Sequence, residues 1–262
     1  MPYRHLRVTR DGHVEHLLLD RPEVRNAFNG ALVDDLAAWA AQVRQGDGSR
    51  VAVLAGAGST FCAGADLGWM SAMVDYSRDE NLRDAERMAG MFASLDHLPI
   101  PLIGRIHGAA LGGGCGLAAV CDLVVADEAA VFGFTEVKLG ILPAIISPYV
   151  LAKIGRSAAR EFFLTGAKFS AARALEIGLI HAVVPAARLD EIVAGWVTQL
   201  LSSAPGAIAA AKELIGRVWG VTADDARALT ADAIATQRVS DEGQEGMRAF
   251  LGKRRAAWRG DA

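Results

Sequence analysis

His107-Gly108-Ala109-Ala110-Leu111-Gly112-Gly113-Gly114-Cys115-Gly116 is the stretch on which the fold is decided. It follows Leu102–Ile106, an apolar run without alternation, the pattern of a strand buried on both faces. Small residues then carry the chain through a tight turn into a helix, where backbone N–H groups stay open to a ligand. The same order recurs upstream. Val51-Ala52-Val53-Leu54-Ala55 reads as a two-sided strand, and Phe61-Cys62-Ala63-Gly64-Ala65-Asp66-Leu67 as a second Gly-rich turn leading into a helix. Leu123–Ala126 is a third strand of this kind. Such strands need helices over both faces, so the predicted class is α/β.

Further out, Tyr3–Arg10 and Val14–Asp20 predict two strands joined across the turn signal Asp11-Gly12. Asn29 predicts the N-cap of a helix with Leu32, Val33, Leu36, Ala40 and Val43 on one face. A second stripe, Leu82, Ala85, Met88, Met91, Phe92 and Leu95, is stopped by Pro99 and Pro101. After Pro185 the strand signals cease and helical stripes follow, such as Leu189, Ile192, Val193, Trp196, Val197 and Leu200, with breaks at Ala204-Pro205-Gly206 and Gly220. Thr222 to Asp225 has the form of a helix-start cap. The expected division is a core over residues 1–200 and a helical region over 201–262. About sixty residues of helix cannot bury so much apolar surface alone, so that region is expected to pack on the core and on neighbouring subunits.

With 262 residues, 52% hydrophobic and 22% charged, the chain can bury a sizeable core, which excludes disorder. The formal net charge of −3 gives no overall reason to expect nucleic acid or an anionic membrane as partner. Cys62, Cys115 and Cys121 are an odd set without CxxC spacing, which argues for a reducing compartment, the cytoplasm, and against a disulfide framework or metal site. Met1 to Asp20 mixes Arg4, Arg7, Asp11 and Glu15 among its apolar residues and offers no signal-peptide core, and no later apolar run reaches spanning length.

Neither Gly-rich turn is a nucleotide motif: Leu117 breaks the register that Gly112 and Gly114 begin, and no GxxxxGK[ST] occurs. Singly, each is an ordinary tight turn. Two N–H groups aimed from both turns at one point would instead make an oxyanion hole. A third segment, Val131 to Pro143, places Glu136 in a largely apolar setting, where desolvation would raise its pKa and equip it for proton transfer. The alternative for Glu136 is a helix-start carboxylate or a partner of Lys138. His97 and His181 read as structural, and His107 lies just before the second turn. Trp69, Met70 and Met73 are spaced as one helix face, which lines an acyl pocket or is simply core. The polar segment Ser71 to Arg87 is suited to a flap.

In this order and spacing the three segments resemble the enoyl-CoA hydratase/isomerase (crotonase) superfamily over nearly the whole chain. Arg21-Pro22, Asn26-Ala27, Ala63-Gly64-Ala65-Asp66, the triple glycine, Cys121-Asp122 and Leu164-Thr165-Gly166 all fall where that family has them. The resemblance implies a crotonase-like spiral of ββα units, a C-terminal helical trimerisation region, and a homotrimer or a hexamer made as a dimer of trimers. It implies an acyl-CoA substrate, with CoA as part of that substrate and no separate cofactor. It gives the oxyanion N–H groups to Ala65 and Gly113 and acid/base chemistry to Glu136. Substrate-binding positions map to Arg25, Ala27, Ala63, Asp66 and Leu67, with Trp69, Met70, Gly112 and Gly116 around the acyl group. Phe250 and Lys253 would reach a neighbouring subunit's CoA. Arg248, Lys253, Arg254, Arg255 and Arg259 would either supply phosphate-facing charge or form a solvated basic tail, the latter being the expected reading for Arg255 and Arg259.

The two-glutamate hydratases of the family carry a first glutamate where this chain has Gly116. The leading expectation is hydration of a 2-enoyl-CoA, and the alternative is a Δ3-Δ2 enoyl-CoA isomerase working with Glu136 alone. A non-catalytic RNA- or acyl-CoA-binding protein ranks third, because basic-aromatic runs are absent. Ala65-Asp66-Leu67-Gly68-Trp69-Met70, Tyr76, Glu80-Asn81-Leu82, Gly116-Leu117 and Ser147-Pro148-Tyr149-Val150 are similar to bacterial methylglutaconyl-CoA and carboxygeranoyl-CoA hydratases, which act on branched, carboxylated enoyl-CoAs in leucine and terpene breakdown. Here His107 replaces the usual asparagine, and Ala144-Ile145-Ile146 replaces a glycine-rich stretch. A distal carboxylate needs a cationic or hydrogen-bonding partner, with Tyr76, Asn81, Arg83, Arg87 and Lys138 as candidates.

Overall fold

The computed structural model describes residues 3–259. The order is β1 (Leu6–Asp11), β2 (Val14–Leu19), α1 (Gly30–Arg44), β3 (Val51–Gly56), α2 (Leu67–Met73), α3 (Arg78–Asp96), β4 (Leu102–Ile106), β5 (Ala109–Leu111), α4 (Gly113–Val120), β6 (Leu123–Asp127) and β7 (Val131–Gly133). It continues through α5 (Ser147–Thr165), β8 (Lys168–Ser170), α6 (Ala171–Glu176), β9 (Ala182–Val184), α7 (Leu189–Leu201), α8 (Pro205–Val218), α9 (Ala223–Val239) and α10 (Asp241–Leu251). The hairpin β1–β2 opens a sheet ordered β1-β2-β3-β4-β6-β9, in which every pair after the first is parallel. A smaller sheet, β5-β7-β8, stands apart from it.

Alternate residues of the central strands enter two different cores, the behaviour expected of unalternating apolar runs. Ala52 and Leu54, Leu102 and Ile106, and Val124 and Ala126 join a large cluster with Phe28, Leu36, Trp39, Phe92 and Leu117. Val51 and Val53, Ile103 and Val125 join Leu189 and Val193 of α7 on the other face. Helix α7 therefore closes the sheet, and the region after it is different in kind. Helices α8, α9 and α10 pack on one another and carry the exposed apolar side chains Ile215, Trp219, Phe250 and Leu251. Caps expected from sequence are present at Asn29, which accepts from the Leu32 N–H, and at Thr222, which accepts from the Asp225 N–H.

The C-terminal helices hang from the core by charged groups. The Arg50 guanidinium donates to the carbonyls of Leu201, Ser203 and Trp258 at 2.9, 2.7 and 2.9 Å. Lys212 pairs with Asp122 at 2.7 Å. Among the described residues no single helix is long and apolar enough to cross a membrane.

Candidate active site

The site begins with a buried asparagine. Arg25 and Asn26 both take left-handed φ values, 56° and 55°, a conformation that costs most residues energy. Asn26 holds it: its Oδ1 accepts from the Arg21 N–H at 2.9 Å, and its amide donates to the carbonyls of Ala57 and Thr60 at 2.8 and 2.7 Å. The turn lays Phe28 beside the first Gly-rich loop. There the Phe28 N–H donates to Gly64 at 2.7 Å and the Phe28 carbonyl accepts from Asp66 at 2.8 Å, while Ala63 donates to Arg25 at 3.0 Å. Phe28 thus brackets Ala65, whose own N–H has no hydrogen-bond partner among the described residues.

The second loop meets the first at close range. A β-carbon on Gly64 would lie 3.1 Å from the Leu111 carbonyl oxygen, and one on Gly112 would lie 3.9 Å from the Gly64 Cα. Gly112 has φ 52° and donates its N–H to Gly133 at 2.8 Å, which turns the chain into α4. Gly113 is the first residue of that helix, and its N–H has no partner among the described residues. The Phe28 ring and the Met88 methyl press on it, 3.0 and 3.3 Å from where a β-carbon would stand. Two unpaired N–H groups, one at a helix start, therefore flank one small space.

Glu136 faces the same space. It opens a short 3-10 turn, Glu136–Leu139, and its Oε1 is 3.2 Å from the position of a Gly112 β-carbon. Any side chain at 112 would run into this carboxylate. Its Oε2 is buried with no hydrogen-bond partner. Burial pushes the Glu136 pKa above the usual carboxylate value, and the residue's own N–H only partly offsets that. Lys138 makes no ion pair with it among the described residues, so the reading of Glu136 as a lysine partner is set aside. Cys115 lies below, its thiol donating to the Ala110 carbonyl at 2.9 Å, and burial raises its pKa far above the range of a reactive thiolate.

Gly116 explains why one carboxylate stands alone. A β-carbon there would meet Ile146 Cγ2 at 2.3 Å and the Phe92 ring at 2.9 Å. The position is buried, and the space a second glutamate would need is filled by hydrocarbon. Gly116 accordingly shapes the site through what surrounds it and offers a ligand no side chain.

A family model described as enoyl-CoA hydratase/isomerase matches residues 9–261. The chain belongs to the enoyl-CoA hydratase/isomerase family. It is 35% identical to the enoyl-CoA isomerase/hydratase fer4 of Mycosarcoma maydis, over 94% of this chain and 93% of the relative. It is 32% identical to the 2,3-dehydroadipyl-CoA hydratase of Escherichia coli strain K12, over 97% of this chain and 98% of the relative. The crystal structure of an enoyl-CoA hydratase from Shewanella pealeana superposes with a TM-score of 0.95 at 36% identity, covering 98% of this chain and 96% of that one. The crotonase-like α/β fold expected from the motifs is the fold observed.

The other expected positions divide into two groups. Arg25, Ala27 and Ala63 stand together with the Phe28 turn, and Leu67 and Trp69 follow at the start of α2, Leu67 being exposed and Trp69 packed against the core. Met70 is half-buried on the same short helix. Asp66 is committed within the chain. Its side chain caps α2 at the Gly68 and Trp69 N–H groups and meets buried Arg21 at 3.0 Å. Burial raises its pKa, but those N–H groups and the guanidinium outweigh it and hold the carboxyl below the usual range. Phe250 lies on the exposed end of α10 and Lys253, also exposed, just beyond it.

Among the histidines, His107 donates from Nε2 to the Gly58 carbonyl at 2.9 Å, His97 donates from Nδ1 to the Ala93 carbonyl, and His181 accepts from the Val124 N–H at 3.0 Å. The segment Ser71 to Arg87 is tied down at its far end, where Arg87 pairs with Asp34 and donates to the Gly30 carbonyl. Sequence reasoning missed Phe28 and Met88 as walls beside Gly113. Phe28 was legible only as the neighbour of Asn26-Ala27, and Met88 only as one member of a core stripe.

Proposed function

We propose that the chain hydrates a 2-enoyl-CoA through a thioester enolate, with Glu136 as its single acid/base group. The observation that carries this reading is a desolvated carboxylate with an unpaired oxygen set against Gly112, the residue before Gly113, where the N–H groups of Gly113 and Ala65 have no partner among the described residues. Glu136 takes a proton from water as the oxygen adds to C3, and the displaced electron pair moves through C2 to the thioester oxygen. The two N–H groups stabilise that oxyanion. The same carboxyl group then returns the proton to C2, so atoms and charge balance. Losing one such donor costs about 10²- to 10³-fold in rate.

Gly116 supports a second reading, double-bond isomerisation between the 3- and 2-positions. There Glu136 shuttles one proton between C2 and C4, and the apolar wall of Phe92 and Ile146 needs no water beside it. Purified protein incubated with 2-enoyl- and with 3-enoyl-CoAs separates the two. Hydroxyacyl-CoA product supports hydration; its absence from every 2-enoyl thioester, with double-bond migration from 3-enoyl substrates, establishes isomerisation instead.

A branched, carboxylated acyl group is the substrate class we favour. The E. coli relative is named for a carboxylated enoyl-CoA. Of the candidate partners, Arg87 is held by Asp34, and Asn81 donates to the Tyr76 and Ser77 carbonyls. Tyr76, Arg83 and Lys138 remain, and of these Tyr76 and Arg83 line a recess of about 310 Å³ that Glu80, Asp84 and Arg87 share. The exposed Phe250 and Leu251 support burial of α10 against another subunit in a trimer or hexamer, with Lys253 close to that subunit's CoA.

A further inference from the structure

Helix α4 has a partner at each end, and only the N-terminal one has entered the mechanism. At its C-terminus Lys153, projecting from α5, donates to the Cys121 carbonyl at 2.6 Å and to the Ala118 carbonyl at 3.3 Å. These are the carbonyls a helix end leaves without intrahelical donors. The lysine is half-buried, and desolvation draws its pKa down. The groups that face it are Cys121 and Asp122 after α4, Asp96 on α3, Lys212 on α8 and His181 before β9. Asp122 is itself taken by Lys212 at 2.7 Å.

We propose that the Lys153 ammonium is an electrostatic positioning group for the oxyanion hole, acting along α4 on the enolate held at the Gly113 N–H. It never touches substrate. Its hydrogen bonds hold the helix end, and its charge adds to the positive potential at the helix start, as the helix dipole does. Eight residues separate the two ends, a span of about 12 Å. Across that distance in a medium of effective dielectric about 20, one charge changes an enolate equilibrium by about tenfold. The ammonium is favoured by Asp122 and Asp96 and disfavoured by burial and Lys212, so the effect is lost toward alkaline pH when the amine gives up its proton.

The inference rests on the oxyanion reading of Ala65 and Gly113, and the test separates the two. Acetoacetyl-CoA ionises to an enolate with its own ultraviolet band, so its apparent pKa when bound reports the hole directly, without turnover. Wild type should lower that pKa relative to free ligand. Lys153→Met should weaken enolate binding about tenfold while butyryl-CoA, which forms no enolate at these pH values, binds as before. Wild type that leaves the ligand's pKa unchanged overturns the oxyanion reading and this inference with it. Wild type that lowers it, with Lys153→Met doing so equally, overturns the inference alone. Asp96→Asn keeps both lysine hydrogen bonds and serves if Lys153→Met does not fold. It should move the alkaline loss of enolate binding to lower pH, and an unmoved loss overturns the inference.

Discussion

Gly116→Ala is the sharpest test of why this site has a single carboxylate. In an exposed helix, glycine to alanine stabilises by about 1 kcal/mol. Here the added methyl would stand 2.3 Å from Ile146 Cγ2, a β-branch methyl that cannot rotate away, and 2.9 Å from the Phe92 ring. Overpacking of this kind costs about 1 to 3 kcal/mol, enough to cancel the helix gain and reverse its sign. The expected outcome is a lower Tm, by a few degrees for a chain of this size. Ile146→Ala removes the offending methyl. In that background Gly116→Ala should be less harmful by about 1 to 2 kcal/mol, a coupling measurable by a double-mutant cycle in thermal or urea unfolding. Equal effects in both backgrounds would refute the idea that Ile146 closes the position. The same geometry predicts that Gly116→Glu alone yields unstable protein and no gain in hydration rate.

Glu136→Gln should lower kcat at least a hundredfold while acyl-CoA still binds, read by steady-state kinetics and calorimetry. Its stability should change the other way. The folded-state pKa of Glu136 is raised by burial, so the ionised group destabilises the fold above its unfolded pKa of about 4.3, and the penalty vanishes below it. Glu136→Gln should therefore raise Tm at neutral pH and lose that advantage in acid. The acid limb of the rate profile should sit above the ordinary carboxylate range and be absent from any residual Glu136→Gln activity. Arg50→Ala leaves the carbonyls of Leu201, Ser203 and Trp258 without their donor; a loss of about 2 to 3 kcal/mol and earlier proteolysis within α8–α10 are expected. Phe28→Leu should depress kcat more than it raises KM, because it loosens the Gly113 wall without removing a donor; a pure KM effect would count against that.

Strands β3, β4 and β6 were legible because both faces are covered, so their apolar runs do not alternate. Strands β5, β7 and β8 are three residues each, too short for any period, and their pairing is set by the Gly-rich turns around them. Ala65 and Gly113 are pointed to only by the resemblance to the family's motifs, whereas Glu136 stands out in the sequence as a lone carboxylate in an apolar segment. The closure of Gly116 does not. It depends on Phe92 and Ile146, side chains brought in from α3 and from the residue preceding α5, and a single sequence does not say which residues fill a gap. Asp66 read as a ligand contact because the motif contains it, whereas its capping bonds and its Arg21 partner require the folded turn.

Phe28 carries a consequence for how such a site can drift. Its main chain sets one donor loop, and its ring backs the other. The aperture between the two amides is therefore gauged by one residue, much as a calliper is set by one screw. Substitutions anywhere under that ring will reach both amides together, so under the proposed mechanism selection on catalysis would be felt at a residue that supplies neither donor nor carboxylate.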